Sequence, residues 1–312
     1  MKPAAPGELI PAWAAAEPAI ALCVLIGSHA RAGDALTGAD AGSDWDFQLA
    51  TTAPERFADG AWLAALGLPP LAYALRPGRL GSALKATAVT ARGELDIVVL
   101  PAEPLRGLAR LVMGGAPPAD PAARQALTDL AAVLAGGYRI LKGEAEFGPF
   151  YARVAGTIPP ARLGDAELRR IADGFVCDYV ALRRRLARGE LLAARRALHH
   201  QLADVNARLL HELRLRRGQS SFPDARRLER LDAAAAARLA LPDAADAAGL
   251  RGAARVAART CRWLLAELLG GAWRWPDLAA LGLGGEELGD YVLEGHVLDR
   301  DVRDRPRAQD VL

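Results

Sequence analysis

Apolar residues in the first hundred positions come in short blocks, some continuous and some alternating. AIALCVLIG (19–27) is an unbroken run rich in branched side chains, the pattern of a buried strand. DWDFQLAT (44–51) alternates instead, with Asp44, Asp46 and Gln48 on one face and Trp45, Phe47 and Leu49 on the other. LAYALRP (71–77) and SALKATAVT (82–90) read as strands around a Pro-Gly turn, and ELDIVVL (94–100) as another. Helical spacing appears at 54–67, 103–113 and 120–136. Past about residue 145 the strand pattern ends. Asp165 precedes a stripe at Leu168, Ile171, Phe175, Tyr179, Leu182 and Leu186, and after Gly189 a second runs through Leu198, Leu202, Val205, Leu209 and Leu213. Further helices are expected at 224–239, 245–270 and 285–297. The pattern predicts a strand-and-helix domain over residues 1–145 and a helical bundle domain over 146–312, ending in a frayed charged tail.

Composition sharpens this only in part. With 312 residues and 52% apolar content, the chain is globular and long enough for two cores. A formal charge of +2 argues against a broad nucleic-acid-binding surface. Nearly all basic residues are arginine; the lysines are Lys2, Lys85 and Lys142. Cys23, Cys177 and Cys261 are widely spaced and show no zinc or disulfide pattern, which fits a reducing cytoplasm. The stretch before SHARA imitates a secretion signal, but Glu8, Glu17 and Pro18 stand where such a signal has none of them. No apolar run reaches the roughly 18 residues that span a bilayer.

Three carboxylates stand out. Asp44 and Asp46, two residues apart on a strand, point the same way at about 6.5–7 Å spacing. They repel each other when both are ionised, a cost that a divalent cation with hard oxygen ligands removes. Asp96 interrupts the otherwise apolar LDIVVL and needs a partner of its own. If strand 94–100 lies beside strand 44–51, all three converge on one face. Gly27-Ser28, at the end of the first strand, suits close backbone approach to an anion, and a helix starting near 28–32 would add a positive field. Arg31 lies one turn further on. Lys142, in GYRILKGEAEF, is a second candidate phosphate cation. His199, His200 and Asp204 read as packing or surface residues, and Trp263, Trp273 and Trp275 as bundle core. Asp178, Glu190 and Glu212 are candidates for an acceptor pocket, with no face assigned.

The ordered set (apolar strand, Gly-Ser, a gap, Asp-x-Asp, a lone strand aspartate) resembles the nucleotidyltransferase superfamily that includes DNA polymerase β. GSHARAG is similar to the Gly-Ser-x-Ala-Arg-Gly version of small bacterial members, and a helical second half carrying LARGELLAARRAL is similar to the aminoglycoside nucleotidyltransferases. The resemblance implies an α+β chain, a mixed-sheet nucleotidyltransferase domain followed by an all-α helical bundle domain that binds or covers the acceptor. It implies transfer of a nucleoside monophosphate, usually AMP from ATP, onto a hydroxyl of a small molecule such as an aminoglycoside. Asp44, Asp46 and Asp96 would hold two magnesium ions, with Asp96 also helping to deprotonate the acceptor. Gly27, Ser28, Arg31 and Lys142 would face the nucleotide. Modification of a protein or a tRNA end, or a catalytically silent regulatory module, are the alternatives. Two departures stand against the pattern: fifteen residues separate Ser28 from Asp44, and alanine follows Arg31.

Overall fold

The structure is a computed structural model and describes residues 4–31, 38–78, 83–115, 118–159 and 162–281. The expected helix at 285–297, the charged tail and positions 32–37 of the long loop lie outside the described residues. Two compact units divide the chain, Met1–Arg162 and Leu163–Leu312.

Unit one is built on a six-stranded mixed sheet. Its strands are β1 (Ile20–Ile26), β2 (Trp45–Thr51), β3 (Pro70–Pro77), β4 (Leu84–Thr90), β5 (Gly93–Pro101) and β6 (Arg139–Lys142), in spatial order β3-β4-β5-β2-β1-β6. Among the described residues, only β2 and β5 run parallel; the other neighbours are antiparallel. The alternation in β2 does what its pattern demands. Phe47 and Leu49 are fully buried in a cluster with Cys23, Leu25, Leu95 and Ile97 on one face. Each such side chain contributes roughly 1.5–3 kcal/mol by leaving water. A one-residue slip of β2 would turn Asp46 and Gln48 into that cluster, so burial sets the register.

Helix α1 (Pro6–Ala16) covers that face, burying Ile10 and Ala14 beside an aromatic group of Trp13, Phe57 and Trp62. The sequence pattern does not reveal this helix, because alanine blurs its periodicity. The helix expected at 54–67 is instead a 3-10 turn, Pro54–Phe57, and a short α2 (Ala61–Ala65); Asp59 accepts from Ala61 N and separates the two. The opposite face carries α3 (Ala102–Met113), α4 (Pro121–Leu134) and α5 (Glu144–Thr157). Phe147, Phe150, Tyr151 and Val154 of α5 share a core cluster with Leu22 and Val24 of β1. That packing carries the first unit to Arg162, beyond the boundary at 145 that the loss of strand pattern suggests.

Unit two is helical. It contains α6 (Asp165–Ala187), α7 (Leu191–Ala197), α8 (Asp204–Arg216), α9 (Leu228–Leu231), α10 (Ala233–Leu239) and α11 (Ala247–Leu269). A π-helical turn, Leu198–Ala203, joins α7 to α8. Both leucine stripes are buried in one cluster, with Trp263, Trp273 and Trp275 packed against it. The helix expected over 224–239 is broken, since Asp224, Ala225 and Arg227 have positive φ and Asp232 caps a fresh start at α10. No helix among the described residues is long and apolar enough to cross a membrane.

Candidate active site

Parallel pairing of β2 and β5 puts Asp46 directly opposite Asp96. Asp44 precedes β2 on the same side, and one carboxylate oxygen from each of the three lies within 4.8 Å of the others. At that separation two unit charges repel by about 1 kcal/mol in water and about 3.5 kcal/mol at an effective dielectric of about 20. The three groups are half-buried, so the cost lies between those limits. An oxygen-only donor set at this spacing fits a hard divalent cation such as magnesium or manganese.

The end of β1 abuts this cluster, since Ile26 pairs with Asp46. Gly27 follows with φ 71° and ψ −151°, a region that glycine alone occupies without strain. A Cβ at this position would stand 2.8 Å from Asp46 Cγ and nearer still to its Oδ2. Glycine here is therefore what lets the Asp46 carboxylate lie against the turn. Ser28 follows, only 6% exposed, and its Oγ is buried without a hydrogen-bond partner among the described residues. A buried hydroxyl left so costs stability unless something it can donate to arrives, and a phosphate oxygen is such an acceptor. Ser28–Ala30 forms one 3-10 turn and Arg31 returns to extended backbone, so no α-helix starts within 28–31. His29 stacks on Trp45, ring centroids 3.7 Å apart, which ties the turn to β2.

Two sequence candidates each have a side-chain nitrogen bonded to backbone carbonyls outside the carboxylate cluster. Arg31 Nε donates to Gly136 O at 3.1 Å, past the end of α4. Lys142 Nζ donates to Ala14 O and Glu17 O at 2.8 and 2.9 Å, capping the end of α1. By register Lys142 faces Cys23, three residues before Ile26. That puts its Cα about 10 Å along the strands and about 10 Å across them from Asp46.

Residues not singled out by sequence complete the site. Lys85 Nζ lies 2.6 Å from Asp96 Oδ2, and Thr87 donates to Asp96 Oδ1 at 2.7 Å. Their signal was present, a rare lysine sharing one face of SALKATAVT with Thr87, but only the β4–β5 register shows what they touch. Next to Asp46 on its face, Gln48 is 1% exposed and accepts from the Tyr151 hydroxyl of α5. Burial pushes the Tyr151 phenol far above its ordinary range, so it stays a donor.

In unit two, Glu190 pairs with Arg188 at 2.7 Å. Glu212 is buried and accepts from Arg216 Nε and Leu163 N. His200 and Asp204 face solvent 3.8 Å apart. Asp178 has its carboxyl raised by partial burial, offset in part by Arg185.

No protein-family model matches the chain, and no curated protein matches it by sequence. Two solved structures are similar over most of its length. One is an aminoglycoside 6-adenyltransferase from Bacillus subtilis, at 15% identity and TM-score 0.37, covering 87% of this chain and 92% of that one. The other is a nucleotidyltransferase-like protein from Exiguobacterium sibiricum 255-15, at 11% identity and TM-score 0.32, covering 90% of this chain and 84% of that one.

Proposed function

We propose that the chain is a divalent-metal-dependent nucleotidyltransferase that moves a nucleoside monophosphate from its triphosphate, ATP first among them, to a hydroxyl of a small molecule. The observation that carries the reading is the in-register pairing of Asp46 with Asp96, with Asp44 beside them and the Gly27-Ser28 turn at the same end of the sheet. Asp44, Asp46 and Asp96 would hold magnesium, which when bound neutralises triphosphate charge and polarises the phosphorus under attack.

This chain's own groups do the rest. Gly27 and Ser28 offer a tight turn and an unspent hydroxyl to the phosphates, with Arg31 one turn away. Thr87 holds one oxygen of Asp96, and in the metal-free protein Lys85 holds the other. In the reaction, the acceptor oxygen forms a bond to the α-phosphorus while the bond from that phosphorus to the α–β bridging oxygen breaks. Pyrophosphate leaves with the electron pair, and the hydroxyl proton passes to a carboxylate of the cluster, the role that the sequence resemblance gives to Asp96. Lys142 takes no part, its ammonium being committed to α1. An aminoglycoside acceptor follows from the sequence resemblance alone.

The test is incubation with magnesium, labelled nucleoside triphosphates and a panel of aminoglycosides. Expected is pyrophosphate release, with label on an acceptor, that Asp46→Asn reduces by at least about a hundredfold, the scale at which removing one electrostatic stabiliser acts. Release equal in Asp46→Asn would sink the reading.

A further inference from the structure

Lys85 belongs to a chain whose 39 basic residues include three lysines. It sits on β4, two residues before the position that pairs with Asp96, so Lys85 and Thr87 reach Asp96 from the same strand. Thr87 takes one carboxylate oxygen and the Lys85 ammonium the other. The two contacts differ in kind. The threonine bond is short, neutral and compatible with metal ligation through the second oxygen. The ammonium puts a full positive charge on the other oxygen of a carboxylate that belongs to the cluster. Asp96 is 19% exposed and Lys85 is 44% exposed, so the lysine has an open route to solvent along a flexible four-carbon stem. An arginine fork would bind the carboxylate with both arms and yield it less readily.

We propose that Lys85 is the resident counter-cation of the carboxylate cluster: it neutralises Asp96 while no divalent ion is held and releases that oxygen when one enters. The inference rests on the reading that the three aspartates take a divalent cation. Lys85 then acts through Asp96, as a positioning residue. By neutralising Asp96 it lowers the repulsion within the cluster, and it makes cation binding an exchange of one positive group for another. Thr87 keeps Asp96 oriented throughout.

Linkage gives the sign. An interaction made only in the metal-free protein stabilises that state alone, so removing it tightens cation binding by the same factor. Lys85→Met is therefore expected to bind Mn²⁺ more tightly than wild type, by about fivefold or more, measured by paramagnetic titration. Its melting temperature should fall in EDTA and recover with excess Mn²⁺. Thr87→Val, which removes an orienting contact, should weaken binding; a merely structural role for Lys85 would move both variants the same way.

A second readout uses unmutated protein. Modification by an amine-directed reagent, read by mass spectrometry, should rise severalfold at Lys85 on adding Mn²⁺. Lys142, held by two carbonyls, is the internal reference and should not change. Wild type that binds Mn²⁺ while Lys85→Met binds it no tighter, or Lys85 labelling unchanged at saturating Mn²⁺, overturns the proposal. Absence of any Mn²⁺ site sensitive to Asp46→Asn in either protein overturns the metal reading beneath it, and the two failures are distinct.

Discussion

Gly27 shows how much of the site depends on one missing carbon. Its backbone conformation would cost another residue about 1–3 kcal/mol, and the space a Cβ needs belongs to the Asp46 carboxylate. Gly27→Ala is expected to lower unfolding free energy by at least that amount and to abolish Mn²⁺ binding, read by thermal melts and titration. Unchanged stability would contradict the role given to the turn. At this scale the sequence was most legible for Asp44, Asp46 and Asp96, because a strand's two-residue period fixes which side chains share a face. For Lys85 and Thr87 it gave only a shared strand face, and what they touch depends on which strand lies beside β5. Lys142 looked like a phosphate cation from its rarity and its place between the expected domains, and its two carbonyl partners lie 128 and 125 positions away. The cysteines allow a simple check. Burial pushes the Cys23 thiol up to about 12 and raises Cys261 further, whereas Cys177 is exposed. Because the thiolate is the nucleophile, iodoacetamide should modify one thiol per native chain at neutral pH and three after denaturation.

Among elements, the strong strands were readable and the short or alanine-rich ones were not. β1, β2 and β5 announce themselves by branched residues and alternation, while β6 has four residues and α1 lacks a clear apolar stripe. α5 follows β6 directly, and its apolar side chains Phe147, Phe150, Tyr151 and Val154 read without a partner until the sheet face beneath them is known. Its most informative contact is polar, the Tyr151 hydroxyl donating to Gln48 beside Asp46 on β2. Tyr151→Phe leaves that buried amide oxygen without its donor, a loss of about 1–3 kcal/mol. A urea denaturation curve that shifts by less than about 0.5 kcal/mol would show that Gln48 does not depend on the tyrosine.

At the scale of the whole molecule, each unit has its own core. Unit one encloses two clusters, one on each face of the sheet, and the helical unit a third. A fragment of residues 1–162 is therefore expected to fold cooperatively, with mixed helix and strand circular dichroism, and to keep the Mn²⁺ site; a fragment that stops at 145 loses α5 and should not. The switch from strand to helix pattern placed the boundary too early for this packing, because α5 is helical by sequence yet belongs to the sheet.

The central claim is that three aspartates on adjoining strands form a divalent-cation site that receives a nucleoside triphosphate. Calorimetric titration of ATP into the whole chain tests it most directly, run with magnesium, with EDTA, and with Asp46→Asn in place of wild type. The account predicts binding that requires magnesium and is lost in Asp46→Asn. ATP that fails to bind with magnesium present, or that binds Asp46→Asn equally well, would contradict it.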